Sequence, residues 1–154
     1  KAKDFLQRAF SIILIATIVV WFLQSFDLSM KLTDNAENSI LAAVSGVIAP
    51  IMSPVGMGDW RIVVALICGF MAKESVVSTL EILYGGGVET FMTTLTAASM
   101  LVFSLIYTPC VAAIAAIKRE LGGKWAFAVV IWQCGVAWVL ALIVRLIGIL
   151  MGVA

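Results

Sequence analysis

The sequence predicts an all-α, polytopic helical membrane protein. Of its 154 residues, 63% are hydrophobic and only 12% are charged, and the mean hydropathy is +1.14. Soluble domains carry about 45 to 50% apolar and about 25% charged residues, so a water-facing surface of ordinary composition is excluded. A helical crossing needs about 20 apolar residues. We therefore expect four main transmembrane helices plus a short re-entrant or half helix, with one helix broken at a proline.

The first predicted transmembrane helix covers residues 9–26, which carry no charge and follow three basic residues, Lys1, Lys3 and Arg8. A polar loop, 27–38, ends it. Residues 39–52 are apolar but too short to cross, and they favour a re-entrant or half helix. An interfacial helix lying on the membrane is the alternative.

Three further transmembrane helices are predicted. Residues 62–84 form the second span and 95–117 the third, which Pro109 interrupts; the fourth covers 125–150. Residues 85–94 contain three glycines and form a flexible connection. The positive-inside rule places segments 1–8 and 118–124 in the cytoplasm and 85–94 outside, but this arrangement needs 39–52 to cross, so the topology stays open.

Charged groups inside the second span predict a pathway for a polar solute. Each charge at the centre of a membrane helix costs about 2.5 to 3.5 kcal/mol on insertion scales, and such residues mark ion routes. At about 100° per residue, Met71, Glu74, Ser78 and Glu81 share one stripe of a continuous helix, and Lys73 points aside. The alternative is that Glu74 forms an ion pair that only holds the helices together.

A second candidate element lies at the proline of the third span. Pro109 has no amide hydrogen and collides with the carbonyl of Leu105, so the helix kinks or unwinds there. Together with Thr108 and Cys110, this would bring bare carbonyls, a hydroxyl and a thiol to one place. Broken helices mark substrate sites in transporters, although a plain kink is the alternative.

These donor types suit a borderline divalent cation. Sulfur with carboxylate and carbonyl oxygen fits Fe²⁺, Mn²⁺ or Zn²⁺ better than Mg²⁺, but does not choose among the three. Histidine is absent from the sequence, which excludes imidazole-held metal sites and serine–histidine catalysis. Cys68 and Cys134 are expected to pack as small residues, Gln133 to bond a neighbouring helix, and Arg145 to snorkel. A net charge of +1 argues against a nucleic-acid partner.

Three blocks resemble the ferrous iron transport protein B (FeoB) family. They are Gly58–Asp–Trp–Arg61, residues 65–80 (ALICGFMAKESVVSTL) and residues 105–120 (LIYTPCVAAIAAIKRE). The resemblance covers nearly the whole chain and implies that residues 1–154 are the C-terminal transmembrane region holding the second gate segment. The N-terminal G domain and the first gate half would be absent. The lack of an initiator Met likewise leads us to expect a piece of a longer chain.

The resemblance implies a multi-pass importer of Fe²⁺ in the bacterial or archaeal cytoplasmic (inner) membrane, and no enzyme activity in this region. Glu74 matches the gate glutamate of the family, and Thr108, Pro109 and Cys110 match its Thr-Pro-Cys motif. The expected metal ligands are Glu74, Cys110, Thr108, Ser78, Glu81 and Met71. No cofactor is expected here, because GTP and Mg²⁺ would bind the absent G domain.

The expected partners are ferrous iron, the lipid bilayer, the rest of the chain, a small cytosolic protein of the same system and further copies of the protein. Two other functions stay open. One is half of a nucleoside-type or other solute transporter, and the other is a membrane scaffold that transports nothing.

Overall fold

The computed structural model describes residues 2–33, 35–71, 73, 75–107 and 110–152, without the side chains of 2–9, 12 and 89. These residues form a bundle of helices, which confirms the predicted all-α membrane fold. In the described part of the chain the α-helices are α1 (Ala2–Ser25), α2 (Ile40–Met52), α3 (Trp60–Gly69), α4 (Ser75–Leu83), α5 (Val88–Phe91), α6 (Thr94–Ile106), α7 (Val111–Leu121) and α8 (Gly123–Leu150).

Among the described residues, two stretches are long and apolar enough to cross a bilayer. They are Thr94–Leu121, which contains α6 and α7, and Gly123–Leu150, which is α8. Helices α2 and α3 would make a third transmembrane span if that bent pair counts as one span. The first predicted span corresponds to α1, whose apolar part, Ile13–Ser25, is shorter.

The predicted short helix at 39–52 is α2, which begins at Ile40. The Ser39 hydroxyl caps it by accepting a hydrogen bond from the Ala42 N–H at 3.1 Å, as a serine at a helix start does. A 3₁₀ turn, Ser53–Val55, continues α2, and Gly56 then adopts a φ of +85°. The axis turns by 100° before α3, so this pair is a broken span or a re-entrant loop.

The prediction of one continuous helix over 62–84 is wrong. Helix α3 ends at Gly69 and α4 begins at Ser75. The last turn tightens, because the Met71 N–H donates to the Cys68 carbonyl three residues back, at 3.0 Å, in the pattern of a 3₁₀ turn. The connection at 85–94, which was predicted to be flexible, contains the short helix α5.

Helix α8 is the longest helix of the described chain, and it packs against both α6 and α7. It packs most extensively on α6, where Ala137 and Ala141 have no exposed surface. Alanines one turn apart let two helix backbones approach closely in a membrane. The indole Nε1 of Trp138 also donates to the carbonyl of Ile51 at 3.2 Å, which ties the end of α2 to α8.

The main apolar core lies where α3, α4, α6 and α8 meet. Its buried side chains include Leu66, Val76, Met100 and Phe103. A smaller cluster beside α1 contains Leu41, Val64 and Cys68, with Val20 and Leu23 of α1 packed against it. Helices α3, α4 and α6 therefore share one core with α8, whereas α7 has no buried residue among those described.

We predict that Gly69→Ala destabilises this core. A Cβ at position 69 would overlap the Val76 side chain and lie 2.8 Å from the Tyr107 hydroxyl. Overpacking costs about 1 to 3 kcal/mol, which outweighs the gain of about 1 kcal/mol from alanine in a helix. Gly135→Ala in α8 is the control, since a Cβ there meets nothing within 4 Å. Thermal unfolding in detergent should show a lower midpoint for Gly69→Ala alone, and equal midpoints would contradict the close approach.

Candidate functional site: the crossing of two broken helices

The two breaks lie side by side and share a backbone hydrogen bond. The N–H of Val111, the first residue of α7, donates to the carbonyl of Phe70, just after α3, at 3.1 Å. In a continuous helix that N–H would bond the carbonyl of Tyr107, four residues back. We call this place the crossing. It consists of Phe70 and Met71, which follow α3, and of Tyr107, Cys110 and Val111, at the connection from α6 to α7.

The backbone is extended on both sides of the break between α6 and α7. Tyr107, which ends α6, has φ −61° and ψ 171°, and Cys110, which precedes α7, has φ −57° and ψ 159°. These values confirm the predicted interruption at the level of the flanking residues. Thr108 and Pro109 themselves lie outside the described residues.

Tyr107 fastens the end of α6 to α3. Its hydroxyl donates to the carbonyl of Leu66 at 2.9 Å in a buried position, and its ring stacks on Phe103 with centroids 5.4 Å apart. Gly69 leaves the space for this hydroxyl. No role for Tyr107 was predicted from the sequence, although its place directly before the predicted helix break is a signal that could have indicated one.

Lys73 supplies the hydrogen-bond donor that the broken helix lacks. Its ammonium lies 3.3 Å from the Leu105 carbonyl oxygen and 3.4 Å from that of Tyr107. The ammonium is also 5.7 Å from the centroid of the Tyr107 ring, within the range of a cation–π contact. The sequence predicted that Pro109 frees the Leu105 carbonyl, but not that Lys73 binds it.

The predicted ligands divide into three groups. Glu74 and Thr108 lie outside the described residues. Cys110 and Met71 are half-buried and lie at the crossing. Ser78 and Glu81 are exposed on α4, beyond the break.

The proposed stripe of ligands along one helix needs correction. Met71 lies in the turn after α3 and not on the helix that carries Ser78 and Glu81, so the helical spacing that joined them does not apply. Within the described residues, no three Cys, Asp or Glu side chains come together as a metal-binding group. The described donor groups at the crossing are backbone carbonyls, the Cys110 thiol and the Met71 thioether.

The other end of α3 and α4 carries a charged cluster. Asp59 caps α3 by accepting from the Arg61 N–H at 2.9 Å, and it accepts from the Tyr84 hydroxyl at 2.6 Å. Arg61 also pairs with Glu37 at 3.2 Å and lies over the Trp60 ring. This cluster explains the Gly58–Arg61 block as a structural clamp.

The remaining polar residues of the predicted spans lie in different environments. Cys68 is buried, and its sulfur accepts from the Gln24 amide at 3.3 Å, so it does more than fill space. The Oε1 atom of Gln133 is buried without a hydrogen-bond partner in the described part of the chain, so this oxygen does not make the expected bond to a neighbouring helix. A Cβ at Gly56 would collide with the Arg145 guanidinium, which places Arg145 against the loop between α2 and α3.

A side cavity of about 550 Å³ adjoins the crossing between α4, α5 and α6. Its lining is mostly apolar and includes Val76, Leu80 and Met100, with Lys73 and Ser104 as polar members. The Ser104 hydroxyl has no hydrogen-bond partner among the described residues. Lys73, which bonds the Tyr107 carbonyl of the crossing, thus also borders a cavity that contains a polar group without a partner among the described residues.

Comparison with known proteins gives one family and several relatives. The family model named Gate, described as nucleoside recognition, matches residues 6–124. The Fe(2+) transporter FeoB of Methanocaldococcus jannaschii is 38% identical over 96% of this chain and 24% of its own length. The transporter of the same name from Staphylococcus aureus is 33% identical over 96% of this chain and 23% of its own.

A third relative is a fusion protein from Porphyromonas gingivalis, named as Fe(2+) transport protein A joined to Fe(2+) transporter FeoB. It is 30% identical over 97% of this chain and 24% of its own length. The chain therefore spans about a quarter of the length of these relatives. No solved structure matches the chain.

We predict that Val111→Pro separates the two breaks. Proline suits the first position of a helix, and the extended backbone of Cys110 suits the residue before a proline. The ring, however, removes the N–H that bonds Phe70 and takes its place. We expect a loss of stability of at least about 1 kcal/mol, as for a lost hydrogen bond.

Val111→Ala is the control, because it retains the N–H. Thermal unfolding gives the stability, and amide hydrogen exchange should rise in the peptide around Phe70 for the proline variant only. Equal exchange in the two variants would contradict the bond between the breaks.

Proposed function

We propose, from the premise that the chain belongs to the Gate family and resembles FeoB transporters over nearly its whole length, that it forms part of the membrane region of a ferrous iron importer. In this proposal Fe²⁺ passes through the crossing. The observation that carries it is the hydrogen bond between Phe70 and Val111. This bond supports a site at which two broken helices present backbone carbonyls next to the Cys110 thiol.

The chemistry of the crossing suits a borderline metal ion. The thiol of Cys110 and the thioether of Met71 supply sulfur, and the break supplies carbonyl oxygen, a mixture that favours Fe²⁺ over Mg²⁺. Glu74 supplies the negative charge and Thr108 a hydroxyl oxygen. A transporter must bind the ion weakly enough for it to leave again, and a mixed set of weak ligands meets this need.

Ser78 and Glu81 form a later station in this proposal. Both are exposed on α4, and three residues along a helix advance about 4.5 Å. A metal ion that leaves the crossing along α4 would meet the Ser78 hydroxyl and then the Glu81 carboxylate. Because both side chains are exposed, the face of α4 that carries them is the surface that a further part of the transporter would cover.

The relatives also support a proposal for the wider assembly. We propose that residues 1–154 are the C-terminal gate region, which works with a first gate half and a GTP-binding domain in the bacterial or archaeal inner membrane. In the P. gingivalis relative, Fe(2+) transport protein A is fused to the transporter. This supports a small cytosolic partner protein, and assembly into a homo-oligomer belongs to the same proposal.

The description of the Gate family model, nucleoside recognition, favours a nucleoside-type transporter as the second candidate. Competition decides between the two solutes. Unlabelled Fe²⁺ should displace radioactive Fe²⁺ from the purified full-length protein under anaerobic conditions, and a mixture of nucleosides should not. The opposite pattern would replace the iron proposal. A scaffold that transports nothing would bind neither.

We predict that Cys110→Ser and Glu74→Ala in the full-length protein each lower Fe²⁺ uptake into proteoliposomes at least about tenfold, since even residues that only support metal ligands matter by 10 to 100-fold. Membrane insertion should be unaffected.

Glu120→Ala is the control, because Glu120 is exposed at the end of α7 and should transport normally. Uptake of Mn²⁺ and Zn²⁺ by the same vesicles measures selectivity. Normal Fe²⁺ uptake by both variants would remove the proposed site.

A further inference from the structure

The carbonyl oxygens of Leu105 and Tyr107 are among those that lose their helical partners at the crossing. In a continuous helix the Leu105 carbonyl would accept from the residue at 109, which is a proline and has no N–H. The Tyr107 carbonyl would accept from the N–H of Val111, which donates to Phe70 instead. Backbone carbonyls at membrane depth need another donor.

A positive charge from the chain itself fills this role. The Lys73 ammonium lies 3.3 Å and 3.4 Å from the two carbonyl oxygens and faces the Tyr107 ring. Carbonyl oxygens that converge on a cation are also what ion-conducting proteins offer a permeant ion. Lys73 therefore sits where a metal ion at the break would sit.

We propose that the Lys73 ammonium is an internal competitor for the metal ion. It holds the Leu105 and Tyr107 carbonyls when the crossing is empty, and an arriving divalent cation displaces it. This inference rests on the proposed function and names the residue that sets how weakly the ion is held. Two cations exclude one another from the same oxygens, so Lys73 lowers the affinity and speeds release.

The displaced ammonium has a place to go. Lys73 lines the 550 Å³ side cavity together with Ser104, whose hydroxyl has no partner among the described residues. That oxygen accepts a hydrogen bond without losing another one. The four-carbon stem of a lysine is flexible enough for such a change of partner.

Binding measurements on the full-length protein in lipid nanodiscs test the competition. Anaerobic Fe²⁺ titration should give at least about tenfold tighter binding for Lys73→Gln, equivalent to about 1.4 kcal/mol. Glutamine retains an N–H donor for the carbonyls but carries no charge. Lys73→Arg retains the charge and should show no such gain.

Lys118→Gln is the control for the loss of one positive charge from the chain, since Lys118 is exposed in the last turn of α7. It should bind Fe²⁺ as the wild type does. If Lys73→Gln binds Fe²⁺ no more tightly than the wild type, Lys73 only stabilises the break and the inference is wrong. An equal gain in Lys118→Gln would also overturn it, because the effect would then be that of net charge.

Chemical labelling tests the displacement directly. Acetic anhydride followed by mass spectrometry should modify Lys73 at least about twofold faster when saturating Fe²⁺ is present, with Lys118 as internal reference. Unchanged labelling of Lys73 would overturn the inference. Loss of Fe²⁺ binding in Cys110→Ser, together with no gain in Lys73→Gln, would retain the proposed function and remove only the competition. Absence of Fe²⁺ binding in the wild type would overturn both.

Discussion

The arrangement of this chain depends on one constraint, the need of every backbone polar group inside a bilayer to find a hydrogen-bond partner. A single proline withdraws one donor from a membrane helix, and the break can exist only if neighbours replace it. Here the replacements come from the other broken span. Phe70 accepts from Val111, and Lys73 donates to Leu105 and Tyr107. Each break is thus completed by the other.

This reciprocity explains why the sequence revealed one break and concealed the other. Proline acts locally, so Pro109 predicted an interruption that the extended backbone of Tyr107 and Cys110 confirms. The end of α3 has no such local cause. Gly69 alone is tolerated within a helix, and residues 62–84 are apolar enough to continue. What ends the helix is a tertiary contact, which a pattern along one segment does not contain.

The candidate site was accordingly predictable in kind but not in geometry. Residue types identified Cys110 and the carbonyl of Leu105, because chemistry follows from composition. The helical stripe through Met71, Ser78 and Glu81 assumed one straight helix and failed with it. Lys73 was visible as a charge in an apolar segment. Its two carbonyl partners could not be predicted, because they lie 32 and 34 residues away along the chain and only the fold brings them to Lys73.

The indole of Trp138 and the alanine face of α8 have a mechanical consequence. Helix α8 is tied to the end of α2 and packs against both α6 and α7, so it braces the two halves of the span that Pro109 interrupts. Helix α4 makes its most extensive contacts with α3 and is not braced in this way. A force transmitted from an attached domain would therefore tilt α4 against α3 more easily than α7 against α6.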